Sequence, residues 1–326
     1  MERFEYASPT TVKDACALLG ASWNDAQVLA GGTDLISMMK DFVASPKRVV
    51  NIKGISELGG IAKTANGLRI GAAVTFDELT LNKLVRSEYP SLVTAALGVA
   101  SPQIRNMGTV GGDLCQRPRC WYFRNGHGLL AMQDGKSLVP NGENKFHAIF
   151  GGGPAYFVSP SSLGPGLAAL GAHVKIVSPS GARTVAADKF FLVPKTENER
   201  EIDLHPNEIV TEIIIPSASA SLKNATYEIR QKEALDWPLA TASVALKMSG
   251  SKVSSARIVM GHVAPAPWDA SAAGQSLAGH AIDEASAEKA AEEAVRGAQP
   301  LSQNGYKVQL AKVAVKRALL AAAGKA

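Results

Sequence analysis

Two short glycine-bearing segments carry most of the chemistry this sequence can be read for. Val28-Leu-Ala-Gly-Gly-Thr-Asp-Leu35 and Asn106-Met-Gly-Thr-Val-Gly-Gly-Asp-Leu114 each put a Gly-Gly pair where a turn should open into a helix. Glycine lacks a Cβ, so such backbone can take positive φ and approach a ligand closely, while unpaired N–H groups at a helix start attract phosphate. Two such loops, one from each part of a first domain, could grip a pyrophosphate from both sides. Taken singly, either pair also reads as plain turn punctuation. Other site chemistries fail on spacing. Neither loop fits G-x-G-x-x-G, and Gly135-Lys136-Ser137 has Leu130 where a P-loop needs its first glycine. None of the six His falls in H-E-x-x-H, and no Cys/His spacing reads as a zinc site. His147 and His262 sit among apolar residues, which predicts strand or core placement, and no Ser-His-Asp set can be assembled.

The elements that must position these loops follow a mixed order. Thr11 to Leu19 reads as a helix, Ala26 to Ala30 as a strand, Thr33 to Phe42 as a helix capped by Thr33 or Asp34, and Arg48 to Ile52 as a strand. A second lobe begins near Gly59. It has a strand at Leu68 to Ala72, helices at Phe76 to Leu81 and Pro90 to Val99, and a loop-rich stretch from Ser101 to Gly153 long enough to be suspected of function. Ala155 to Val158, the helix-like PSSLGPGLAALG, strands at His173 to Val177 and Arg183 to Val185, and the alternating Glu208 to Ile215 complete it. Ser217 to Ser221 reads as a linker. Beyond it come strands at Thr226 to Lys232, Ala240 to Lys247 and Val253 to Val263, then helices at Glu284 to Arg296 and Tyr306 to Ala322, an α+β pattern with helices covering one face of an antiparallel sheet.

The chain has 326 residues, 46% hydrophobic and 19% charged, which predicts about two globular domains and excludes disorder or a fibre. Thirty-four Lys and Arg against 29 acids give +5, with charges interspersed, so no nucleic-acid footprint is expected. The one local cluster, Arg105, Arg117, Arg119 and Arg124, is open to two readings: a solvated basic loop, or a contact for an anion or partner. Three cysteines argue for a reducing compartment. No stretch reaches the length of a membrane span and the N-terminus lacks a secretory apolar run, so a cytoplasmic protein is expected.

The pairing of AGGTDL (Ala30 to Leu35) with TVGGDL (Thr109 to Leu114) resembles the FAD-binding medium subunit of molybdenum hydroxylases, the xanthine dehydrogenase and carbon monoxide dehydrogenase family. LRIGAAVTFDEL (Leu68 to Leu79), IRNMGTVGGDLCQRPRCWYFR (Ile104 to Arg124), GENKFHAIFGG (Gly142 to Gly152), DWPLATASVAL (Asp236 to Leu246), GHVAPAPW (Gly261 to Trp268) and PLSQNGYKVQLAKVAVKRAL (Pro300 to Leu319) extend the resemblance over almost the whole chain. It implies an α+β fold: a two-lobed, PCMH-type FAD-binding domain over 1–217, split near 55–60, then an α+β C-terminal domain over 218–326. It implies that Leu29, Ala30, Gly31, Gly32, Thr33, Asp34 and Leu35 carry the FAD pyrophosphate. Thr109, Gly111, Gly112 and Asp113 would contact the same cofactor, with backbone N–H groups as the main ligands. Lys232 is a candidate for touching the flavin; as a residue it reads first as an exposed strand lysine.

Two departures from the family pattern stand out. Relatives show Pro-Ser-Asp where this chain has Pro160-Ser161-Ser162, so the contact from Ser162 becomes a hydroxyl at best. Cys115 and Cys120 lie in a segment resembling a subgroup with an extra 4Fe–4S cluster, which needs four thiolates; GHGLLAMQDGKSLVP supplies none, so no metal is expected. The resemblance implies an electron-transfer subunit active only in complex, a heterotrimer with a molybdopterin-binding large subunit and a 2Fe–2S small subunit, and co-export with a signal-bearing partner remains open. No side chain is nominated as acid, base or nucleophile. A stand-alone FAD-dependent oxidoreductase and a non-catalytic assembly subunit are the rival readings.

Overall fold

The computed structural model describes residues 1–99, 101–231 and 236–325. Its first lobe is a small parallel sheet in the order Glu5–Ala7, Arg48–Asn51, Ala26–Leu29. Successive side chains of a strand point to opposite faces. Val50 therefore packs with Val12, Ala15 and Cys16 on one side, while Val49 packs with Leu35, Met38 and Met39 on the other. The central strand is accordingly apolar at both of its inner positions, Val49 and Val50, because it is covered on both faces.

The second lobe is a five-stranded antiparallel sheet ordered Ile61–Thr64, Gly67–Gly71, Ile209–Pro216, His173–Ser178, Gly181–Ala186. Its core packs Leu68, Ile70, Ile213 and Ile215 against Phe76, Leu79, Leu92 and Leu167 of the covering helices. Helix Phe76–Leu81 starts at a reciprocal cap: the Thr75 hydroxyl accepts from Glu78 N at 3.2 Å, and the Glu78 carboxylate accepts from Thr75 N at 2.7 Å.

The last sheet runs Lys223–Arg230, Pro238–Ser249, Lys252–Gly261, Trp268–Asp269, all antiparallel. Its longest strand is buried on both faces. Ala240, Ala242, Val244 and Leu246 meet helices Glu284–Ala294 and Tyr306–Ala322, and Ala245 joins the core of the second lobe. The architecture is thus two α+β domains, with antiparallel sheet and helices toward the C-terminus.

Several sequence expectations change. The Ser101 to Gly153 stretch holds helices Pro102–Met107, Val110–Cys115 and Trp121–Arg124 and a hairpin of Met132–Gln133 with Lys136–Ser137. Elements of two to six residues bury too few side chains to leave a periodic pattern. Ala155 to Val158 forms no strand, and Glu5–Ala7 adds one that was not foreseen. The helix expected from Thr33 begins at Leu35, and its N-cap residue Asp34 makes no side-chain cap bond because that carboxylate is engaged elsewhere.

Candidate functional site

The first glycine loop leaves strand Ala26–Leu29 and enters helix Leu35–Lys40. Gly32 stands at φ +73, the left-handed region that costs other residues strain, and a Cβ there would also press on Ile36 and Leu29. Gly31 is a glycine for another reason: a Cβ would run into the Met107 carbonyl of the second loop's approach. The loop's carbonyls are used by the helix, with Ile36 N donating to Gly32 O and Met38 N to Asp34 O, both at 3.1 Å. The N–H groups of Gly31, Gly32, Thr33 and Asp34 find no acceptor among the described residues. Four consecutive unspent donors are what an anion needs from backbone.

The second loop is built differently. Val110 N donates to Val74 O and Gly111 N to Ala72 O, both at 2.8 Å, and Gly112 N to the capping Thr109 Oγ1 at 3.1 Å. Asp113 N is taken by Thr109 O at 2.9 Å. Gly111 lets this backbone lie against Ala72, where a Cβ would collide. The sequence reading gave both loops free N–H groups; the structure leaves a run of them in the first, whereas the second spends those of Val110, Gly111, Gly112 and Asp113 on packing and becomes a close-packed wall. Asp113 points inward. Its carboxylate accepts from Ser161 Oγ at 2.6 Å, Leu163 N at 2.9 Å, Ser162 N at 3.0 Å and Gln116 Nε2 at 2.9 Å. Burial pushes that carboxyl upward while these hydrogen bonds hold it down. Asp113 thus reaches the Ser161 to Leu163 segment from the other loop, and its carboxylate is spent there on protein donors.

Both loops line a cavity of about 370 Å³. Ala30 to Leu35, Thr109, Gly111, Gly112, Asp113 and Ser162 reach it, whereas Leu29 is partly buried against Leu35 and Met38. Lys232 lies outside the described residues.

The arginine cluster resolves into a wall of this cavity and not a solvated loop. Asp34 pairs with Arg119 and, at 2.8 Å, with Arg124, and it accepts from Arg117 N at 2.8 Å. Burial alone would raise that carboxyl, but the two guanidinium charges and the N–H hold it below its ordinary range. Arg117 contacts the buried Glu201. Arg105 turns away to the Val99 carbonyl at 2.8 Å. Sequence reasoning missed Arg200, Glu201 and the aromatic neighbours Trp23 and Trp237. Arg200, Glu201 and Trp23 come from segments with no motif, Trp237 lies in the DWPLATASVAL segment without having been singled out, and only the fold brings them together beside the cavity. Trp23 stacks under the Arg200 guanidinium at 4.1 Å and Trp237 under that of Arg119 at 4.8 Å.

The remaining candidates lie in packed surroundings. His147 and His262 are buried. His147 Nε2 sits 3.1 Å from Cys120 Sγ, and burial, helped by Lys307, pulls its imidazole down to about 4. Burial pushes the Cys115 thiol up to about 12 and raises Cys120 as well, so both are neutral thiols at pH 7. Among the described residues no group of three or more His, Cys, Asp or Glu is placed to hold a metal ion.

Residues 2–218 match the family model of the FAD binding domain in molybdopterin dehydrogenase, and residues 225–322 that of the CO dehydrogenase flavoprotein C-terminal domain. The carbon monoxide dehydrogenase medium chain of Hydrogenophaga pseudoflava is 33% identical over 98% of this chain and 97% of its own. The chain belongs to the FAD-binding medium subunits of the CO dehydrogenase and molybdenum hydroxylase family. The aldehyde oxidoreductase FAD-binding subunit PaoB of Escherichia coli is 29% identical over 96% of each chain. In structure, this family member matches carbon monoxide dehydrogenase from Hydrogenophaga pseudoflava with a TM-score of 0.78 at 32% identity, over 99% of this chain and 98% of the other. Quinoline 2-oxidoreductase from Pseudomonas putida 86 gives 0.77 at 27%, with the same coverage.

Its cofactor is FAD. The cavity suits that group: the unspent donors of Gly31 to Asp34 and the guanidiniums of Arg117, Arg119 and Arg200 on its lining match a dinucleotide's diphosphate. No helix among the described residues is long and apolar enough to cross a membrane.

Proposed function

We propose that this FAD-binding oxidoreductase subunit is the electron-transfer component of a molybdenum-containing hydroxylase or dehydrogenase. It assembles with a molybdopterin-binding large subunit and a 2Fe–2S small subunit as a cytoplasmic heterotrimer, within the breadth of the CO dehydrogenase and xanthine dehydrogenase relatives. Bound FAD would supply two-electron storage between the partner's 2Fe–2S centres and an external acceptor. The chain itself binds and orients. The N–H groups of Gly31 to Asp34 receive the diphosphate, and Thr109, Gly111, Gly112 and Asp113 form the facing wall. Ser162 offers a hydroxyl, and Lys232, outside the described residues, is the candidate cation for the flavin. The domains meet at 217/218, so the cofactor is held mainly by residues 1–217.

The observation that carries this reading is the run of unspent N–H donors opening on the cavity, in a chain of this family. The cavity mouth supports the need for partners. Helix Pro102–Met107 has no buried residue, and Leu97 (55% exposed), Ile104 and Met107 (47%) present apolar side chains beside it. Among the described residues no His lines the cavity, and its acids Asp34 and Asp113 are engaged by guanidinium and N–H groups. The test is to purify the chain with FAD and follow bleaching of the flavin absorbance under reducing substrate. The reading expects a yellow chain inert alone and reduced when the partner subunits are added. Turnover by the isolated chain, or a colourless chain that still assembles, would overturn it.

A further inference from the structure

The guanidinium of Arg200, on the lining of the cavity that both glycine loops share, is left short of partners. It makes no hydrogen bond among the described residues; its closest acid, Glu201, stands 3.6 Å from Nε and is itself in contact with Arg117. The side chain is mostly buried, lines the cavity and is held flat on Trp23. The Nε atoms of Arg117 and Arg119, on the same wall, are also buried without an aligned partner. A buried cation left unpaired is costly. Of the charged residues on the cavity lining, Arg117, Arg119 and Arg200 stand with Asp34, Asp113, Glu208 and Asp236, and no acid among the described residues engages the Arg200 guanidinium by a hydrogen bond. Burial and the neighbouring Arg117 pull Arg200 down to about 10.

From this arrangement, and resting on the FAD reading above, we infer that Arg200 is a second anchor for the dinucleotide: a guanidinium fork, preset by Trp23 and backed by Arg117, that pairs with a diphosphate oxygen opposite the Gly31 to Asp34 donors. An Arg fork fits phosphate oxygens two at a time, and its preset orientation removes most of the ordering cost. The glycine loop then fixes where the diphosphate lies, and the unpaired Arg200 guanidinium supplies the charge that meets it. This chain should therefore select FAD over flavins with one phosphate or none.

The full-length chain is titrated with FAD, FMN and riboflavin by quenching of flavin fluorescence, as wild type, Arg200→Gln and Arg200→Lys, with circular dichroism as the folding control. FAD affinity is expected to fall by at least ~10-fold in Arg200→Gln and to recover in part in Arg200→Lys, as loss and retention of a charged phosphate contact predict. Riboflavin binding should not change. A folded Arg200→Gln that keeps wild-type affinity for FAD overturns the inference. A variant-free arm covers a variant that does not fold: on wild type, ADP should displace FAD far better than adenosine, and less well as salt rises, whereas equal displacement overturns it. A wild-type chain that takes up no FAD at all defeats the parent reading, and this anchor with it.

Discussion

At the scale of single residues, two glycines that look alike in the sequence have different physical obligations. Gly32 needs its φ of +73, and Gly31 needs the absence of a Cβ beneath the Met107 carbonyl. Gly32→Ala should cost about 1–2 kcal/mol from the left-handed backbone. It should lower the thermal midpoint and release flavin during desalting; full flavin retention at an unchanged midpoint would contradict the role given to this turn. The buried imidazole of His147 makes a separate prediction. Its folded pKa of about 4 lies below the ordinary 6.5. Between those values the unfolded chain binds a proton that the folded chain refuses, so stability falls as pH falls through that window. His147→Gln should remove part of this acid loss, at most about 3 kcal/mol by pH 4. Urea midpoints at pH 7 and 4.5 for both proteins check it, and parallel pH profiles would refute it. The glycine loops were legible in the sequence because backbone chemistry depends on residue type. Arg200 and Trp23 were not, because their roles come from juxtaposition across 177 positions.

At the scale of elements, the C-terminal helix pair shows a core made of alanine. Ala287, Ala290, Ala291 and Ala294 of one helix and Ala311, Ala314 and Ala318 of the other are buried in one cluster, so close approach and not side-chain bulk closes that interface. On the outer edge, Lys312 and Lys316 bridge Glu284, Glu288 and Glu292. Ala314→Leu should overpack the seam and cost about 1–3 kcal/mol. Lys312→Ala should leave the unfolding midpoint nearly unchanged, since exposed pairs contribute little. Comparing the two by thermal melts tests the assignment, and the reverse ranking would contradict it. Long elements such as Tyr306–Ala322 were read closely from periodicity. The short helices between Ser101 and Gly153 were not, because four to six residues with Gly, Pro and Arg among them leave no repeat to detect. The expected cap at Asp34 failed for a tertiary reason: Arg119, Arg124 and the Arg117 N–H compete for the same carboxylate and win it.

At the scale of the whole molecule, the two α+β domains, the cavity lined by both glycine loops and the exposed apolar helix at its mouth form one design for holding a cofactor where a partner can reach it. Resemblance in the sequence already implied the family and its flavin, since the matching motifs span nearly the full chain. What sequence could not convey is that the loops divide their labour: one keeps its donors free, the other spends them on packing. The central claim is that the first loop's donors and the arginine wall hold one FAD in this cavity. Flavin content per chain, read from the visible spectrum after reconstitution and desalting, tests it most directly. The account predicts one FAD retained per wild-type chain and its loss in Gly32→Ala. A colourless wild-type chain, or a Gly32→Ala chain that keeps its flavin in full, would contradict it.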